Sequence, residues 1–372
     1  MKVIAMGYTG TGSSAIIHLL KEYTNCFDID DKNYEHNLLY LPHGLFDFED
    51  ALLKNNSLYK SDAAINDFYN QMKNLNDFDY GWYGGYKKKF GTKFMDAVDE
   101  LIDQLVIYTR PGGWANDYIY EYRLDYFLKD ICKKLLGKEV REFGKRINYD
   151  GKDGIVKYAL PSPDEFYSAA KIFLEKYYEL IGYDKDKVMI FDQLLEPQQL
   201  YRINNYFDDD IRCIVVDRDP RDMYLLSKYI WSKNTSYSIV PTEIDNFISF
   251  YTRLYNSEKL IEDPRILRIH FEDLIYNYDV TINRIEDFIG KKNLGDHKYK
   301  KEFFNPNESI KNTQIFNVNE TWKLESSIIL DSTLMSHVYD FPYSISAKLE
   351  EMSDPNPDTS IKTRENVNFR KE

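Results

Sequence analysis

Cysteine is scarce: Cys26, Cys132 and Cys213 are the only three in 372 residues, far apart and odd in number. That excludes a disulfide framework as the organising device. Cys26 and Cys213 stand in apolar, strand-like surroundings and are expected to be buried thiols. No apolar run approaches the roughly 20 residues that span a bilayer, and no secretory-type apolar segment opens the chain. The expectation is a cytoplasmic protein without a transmembrane segment. Positive charge is in deficit, with 48 Lys and Arg against 61 Asp and Glu and a formal net charge of −13. A surface of that sign argues against general nucleic-acid binding and against a basic membrane-surface role. The six histidines and three cysteines lack metal-ligand spacing, so no metal site is expected. There is no G-x-S-x-G elbow for Ser-His-Asp catalysis, and no internal repeat.

Short apolar runs alternate with helical patterns at both ends of the chain. VIAM (3–6), CFDID (26–30), KVMIF (187–191), IRCIVV (211–216) and RILRIHF (265–271) read as strands. Residues 48–75, 93–135 and 163–181 read as helical, with a Gly-rich aromatic segment (78–94) between the first two. A break at 145–162 suits a hairpin. Apolar strands separated by helices imply a parallel sheet covered on both faces. The expected fold is therefore an α/β three-layer sandwich, with a central parallel sheet of about five strands and a helical insertion at about 45–185. One domain is expected over 1–352, followed by a polar tail at 353–372.

The first strand runs straight into GYTGTGSS (7–14). Gly7, Gly10 and Gly12 let the main chain approach a ligand closely, and Ser13 and Ser14 open the apolar helix that follows. Strand, glycine loop and helix start together make an anion site. The spacing fits the phosphate-loop pattern G-x-x-x-x-G-K-[ST], except that Ser13 stands where lysine belongs. That lysine offsets charge at the β- and γ-phosphates during nucleotide hydrolysis. Its absence disfavours ATP or GTP hydrolysis and leaves a ligand held by backbone amides and hydroxyls.

A second anion site is legible in IRCIVVDRDPRDMYLLSKYIW (211–231). Arg218 lies just past a strand and Arg221 in the first turn of a helix, two guanidinium forks suited to phosphate. Asp219 or Asp222 can cap that helix, and Pro220 suits its first turn. In an open α/β sheet, ligands bind outside the carboxyl ends of the strands. Arg218 and the glycine loop should therefore share one edge.

These two motifs together resemble the PAPS-dependent sulfotransferases of bacterial, carbohydrate type, where PAPS is 3′-phosphoadenosine 5′-phosphosulfate. The family's first motif, G-x-P-[RK]-S-G-T-[ST] after a strand, is similar to Gly7–Ser14. Its second, R-x-P-[RK]-D before a helix bearing a serine, is similar to Arg218–Asp222 with Ser227. The resemblance implies a P-loop-NTPase-like fold. It implies a 5′-phosphosulfate held by Thr9, Gly10, Thr11, Gly12, Ser13 and Ser14, and a 3′-phosphate held by Arg218 and Ser227. The product would be adenosine 3′,5′-bisphosphate. FFNPNESIKNTQIF (303–316) is similar to a C-terminal stretch of bacterial members, which offers Lys311 and Asn312 as cofactor contacts. The chain departs from the pattern twice: Gly10 replaces the basic residue of the first motif, and Ser227 comes one residue late, Leu226 filling the expected place.

In that family the base is a Glu or His just past the second strand. Glu35 in DKNYEHNLLYLPHG (31–44) is the first choice, with His36 and then His43 after it, since a neutral imidazole titrates near working pH. Asp192 and Gln193, after the KVMIF strand, can hydrogen-bond acceptor hydroxyls or cap the next helix. Lys87, Lys88, Lys89 and Lys93 lie beside Trp82, Tyr83 and Tyr86, a combination that suits a sugar or an exposed loop. Three functions stay open. The first is sulfuryl transfer from PAPS to a small-molecule or glycan hydroxyl, the second phosphoryl transfer by a P-loop kinase, and the third nucleotide binding without catalysis. All three are compatible with a homo-oligomer.

Overall fold

Val3, Ile4, Ala5 and Met6 are apolar at consecutive positions, so the strand they form must be covered on both faces. In the computed structural model, which describes residues 1–28, 35–81, 83–111, 154–232 and 240–345, this strand is β1 (Lys2–Gly7), the middle of a five-stranded sheet. The remaining strands, in chain order, are β2 (Cys26–Asp28), β3 (Val106–Pro111), β4 (Ile155–Ala159), β5 (Val188–Asp192), β6 (Ile211–Asp217) and β7 (Ile266–His270). The large sheet runs β2-β5-β1-β6-β7, every pair parallel, while β3 and β4 form a separate antiparallel pair. This bears out the expected α/β class and parallel five-stranded sheet.

The chain divides into two compact units: Met1–Asn37 with Gly81–Tyr83 and Ile181–Glu372, and Leu38–Tyr80 with Gly84–Leu180. The first unit holds the large sheet. One face, formed by Val3, Ala5, Val188, Ile190, Ile214, Val216 and Ile269, packs on the helix Ser14–Leu20 and the helices Asp273–Tyr276 and Tyr278–Ile289. Ile16, Leu19 and Leu20 of the first helix are fully buried there, each worth about 1.5–3 kcal/mol of burial. On the other face Ile4, Met6, Met189, Phe191, Cys213 and Val215 are equally buried. Chain order and strand order disagree around β1: the chain leaves it for β2, returns beside it as β5, then crosses to β6 on the far side. A reversal of that kind opens a crevice at the carboxyl ends of the strands.

The second unit packs the helices Leu58–Asp77, Lys93–Leu105 and Pro163–Leu180 around Phe68, Phe94, Phe166, Phe173 and Tyr177. Helix was expected over 93–135, but it stops at Leu105 and the chain continues as β3, while residues 112–135 lie outside the described residues. The β-branched, aromatic run Val106-Ile107-Tyr108-Thr109 favours strand over helix. Of the expected hairpin at 145–162, residues 145–153 lie outside the described residues, while Ile155–Ala159 form β4, which runs antiparallel to the distant β3 with Val156 opposite Arg110. Cys132, Trp82 and the tail at 353–372 lie outside the described residues.

Candidate functional site

β1 and β6 are neighbours in register, with Gly7 opposite Val216. The glycine loop and the Arg218 segment therefore leave adjacent strands at the same edge, as the two motifs required. Gly10 and Gly12 have φ of 84° and 96°, the left-handed region that only glycine enters without strain. Their missing side chains also make room. A Cβ on Gly10 would stand 2.9 Å from the Trp231 ring, and one on Gly12 would stand 3.0 Å from the Phe271 ring. The loop is braced from within and from one side. Tyr8 N–H donates to Thr11 Oγ1 at 2.9 Å, and the Tyr251 hydroxyl donates to the Thr9 carbonyl at 2.5 Å. Thr11 is buried, while Thr9 and Gly10 are exposed and Gly12, Ser13 and Ser14 half-buried. Among the described residues, the backbone N–H groups of residues 9 to 13 carry no hydrogen bond. Unpaired main-chain donors at a glycine turn are the elements of an anion nest. No lysine or arginine side chain bonds to residues 9 to 14 among the described residues.

Arg218 follows β6 but is deeply buried. One of its guanidinium nitrogens, Nη2, donates to the Asn312 carbonyl at 2.6 Å, and its guanidinium carbon lies 4.6 Å from the Phe271 ring centroid. Among the described residues its Nε has no partner. The same Phe271 ring thus lies close to both Gly12 and the Arg218 guanidinium. Carboxyls surround the cation. Burial holds Glu272 well above the usual carboxylate range, Asp219 pushing the same way, and burial with Asp219 lifts Asp222 to about 7. Asp219 caps the Pro220–Leu226 helix by accepting from Arg221 N at 2.9 Å, and it also holds the Arg221 guanidinium at 2.7 Å. Asp222 reaches a different segment, its two oxygens accepting from Gln314 N and Ile315 N at 2.7 and 2.8 Å. Pinned there, the 310–315 segment brings Asn312 to Arg218 while Lys311 stays exposed. Ser227 is fully buried, with its hydroxyl donating to the Val240 carbonyl at 3.0 Å.

Glu35 lies on the other side of β1. It continues the β2 line and pairs with Asp192 at the end of β5, which in turn sits opposite Ala5 of β1. Burial pushes the Glu35 carboxyl up to about 7, with Glu196 adding to the rise. His36 is fully buried, its N–H donates to the Asp192 carbonyl at 3.1 Å, and its ring meets Phe191 edge-on. Gln193 adopts φ 50°, a turn immediately beyond β5. His43, Tyr86 and the lysines belong to the second unit. There Tyr86 is a core residue against Phe94 and Tyr177, and Lys87, Lys88, Lys89 and Lys93 are exposed.

Other residues at this edge carried no sequence signal. Asp217, the last residue of β6, accepts from Arg218 N at 2.8 Å and from the Tyr255 hydroxyl at 2.6 Å, and its second oxygen is 2.6 Å from His337 Nδ1. The His337 ring stacks on Tyr255 at 3.7 Å, and Tyr255 packs against Tyr8 at 4.4 Å. Tyr8 donates to Glu258, which also pairs with Arg268. Phe271 and Trp231 are equally silent in sequence, since a lone aromatic after a strand or within a helix marks packing and nothing more.

No protein-family model matches the chain, and no curated protein matches it. Among solved structures the chain is similar to a sulfotransferase domain from the curacin biosynthetic pathway. That similarity has a TM-score of 0.35 and 12% identity, covering 92% of this chain and 98% of the other, too distant to argue for fold or activity. Among the described residues no group of three His, Cys, Asp or Glu is arranged to hold a metal ion, and no helix is long and apolar enough to cross a membrane.

Proposed function

We propose that the chain transfers a sulfuryl group from PAPS to a hydroxyl acceptor, with a carbohydrate as the acceptor class. The observation that carries this reading is the β1–β6 register, because it sets five unpaired loop amides beside the Arg218 segment. The nucleotide's 5′-phosphosulfate would lie on the amides of Thr9 to Ser13 with the Ser13 and Ser14 hydroxyls. Its 3′-phosphate would take the open Nε–H of Arg218, and a nucleotide joining the two has to pass Phe271. Ser227 donates its O–H to the Val240 carbonyl, whereas Thr11 only accepts from Tyr8 N–H and keeps its own O–H for a phosphate oxygen.

Sulfuryl transfer needs the acceptor oxygen in line with sulfur and a base for its proton. A Glu35 carboxyl near 7 suits that base, since it is partly ionised at neutral pH and a stronger proton acceptor than an ordinary glutamate. Charge gathering on the departing bisphosphate would be met by preorganised backbone donors.

Calorimetric titration with adenosine 3′,5′-bisphosphate, ATP with magnesium, and GTP tests the reading. Binding of the bisphosphate, followed by transfer of labelled sulfate from PAPS to a glycan hydroxyl, is the expected result. Binding of ATP with magnesium alone would replace it by phosphoryl transfer. Bisphosphate binding with no transfer to any acceptor would leave a nucleotide-binding protein.

A further inference from the structure

Register partners on neighbouring parallel strands project to the same face, with strands about 4.8 Å apart. Glu35 and Asp192 are such partners, and the His36 N–H bond to the Asp192 carbonyl at 3.1 Å holds the register next to them. Asp192 Oδ1 is buried without a hydrogen-bond partner among the described residues. The charged groups around the two carboxyls do not balance. Asp28, whose register partner is Ile190, projects from the same face and consumes Lys21 in a buried ion pair at 2.7 Å. Glu196 faces Glu35 and accepts the cap bond of the Pro197–Arg202 turn. Among the described residues four carboxyls thus stand against one ammonium, and a bound proton is the least costly compensation.

We infer that Glu35 and Asp192 act as one carboxyl pair holding a single shared proton at neutral pH, with Asp192 as the positioning residue and Glu35 as the member that meets the acceptor hydroxyl. Burial, with Glu35 next in effect, lifts Asp192 to about 7, in agreement with that geometry. The proton is divided between the two carboxyls, so each is partly ionised at neutral pH and Glu35 can accept a proton. The role in transfer rests on the proposed sulfuryl chemistry. There the acceptor O–H proton passes to the Glu35 carboxylate while the new O–S bond forms. The S–O bond to the 5′-phosphate breaks, and the bisphosphate leaves with the electron pair. The pair itself needs none of this chemistry.

Carboxyl-¹³C NMR titration of the full chain separates the two layers. In the native protein the Glu35 and Asp192 carboxyls should titrate as a coupled pair. In Asp192→Asn, Glu35 should titrate in a single step displaced downward by about one pH unit or more, the size expected of interacting sites. Glu35→Gln, at the less buried position, should displace Asp192 likewise and serves if the first variant does not fold. Midpoints unmoved in both variants overturn the pair. With PAPS and a hydroxyl acceptor, Asp192→Asn should move the acid limb of the kcat profile downward while KM for PAPS stays constant. Coupling seen without any sulfuryl transfer supports the pair and removes the proposed reaction. Transfer without coupling removes the pair and keeps the reaction.

Discussion

Replacing Arg218 with methionine keeps most of the aliphatic volume and deletes the charge beneath which Glu272 and Asp222 are buried. Three contributions disappear together. The bond to the Asn312 carbonyl has an ionised donor, a class worth about 1.5–3 kcal/mol. The guanidinium over Phe271 is a desolvated cation–π contact worth about 2 kcal/mol. Glu272 and Asp222 also lose the attraction that lowers the pKa of each. These effects share one group and do not add, so the expected loss at pH 8 is about 3–5 kcal/mol, the range for an uncompensated buried charge. The loss depends on pH with a definite sign. Both carboxyls already sit above their ordinary values, so the folded protein binds more protons than the unfolded chain, and their contribution to stability falls as pH rises from about 4 through 7. Without Arg218 both values climb further, and the fall steepens. At pH 5, where the carboxyls are protonated in either protein, the difference should shrink to the lost hydrogen bond and ring contact. Urea unfolding at pH 5 and pH 8 measures this directly. A loss below about 1 kcal/mol at pH 8, or a larger loss at pH 5 than at pH 8, would refute the view that Arg218 neutralises this cluster.

Three further outcomes follow from the same geometry. Native stability should decline by up to about 4 kcal/mol between pH 4 and 7 through Asp192, whose carboxyl is pushed up to about 7; Asp192→Asn should flatten that decline in urea unfolding, and parallel curves would count against it. Gly12→Ala should cost about 1–2 kcal/mol, because alanine strains at φ 96° and its Cβ meets Phe271; an unchanged melting temperature would show that the loop relaxes freely. His337→Ala should remove about 1–2 kcal/mol of local stability by breaking the bond to Asp217. Amide hydrogen exchange should then quicken at Val338 and Tyr339, and equal protection in both proteins would mean that another contact holds this segment.

The residues alone determined the local pieces. Val3–Met6 and Cys213–Val216 had to be buried strands, since consecutive apolar, largely β-branched residues fit no half-exposed element. Pro220 after Asp219 announced a capped helix, and Asp219 does accept the cap bond. The glycines announced a loop with left-handed positions, and Gly10 and Gly12 take them. Such features depend on neighbours a few residues apart. What tertiary structure decided was everything that joins distant segments: that β5 returns between β2 and β1, that β3 pairs with β4, and that Phe271 approaches both Gly12 and Arg218. It also decided that Asp192 faces Glu35 and that His337 meets Asp217. Asp192 reads in sequence as one more carboxylate after a strand. Its altered proton affinity exists only because register and burial bring a second acid beside it, with the nearby ammonium already taken by Asp28.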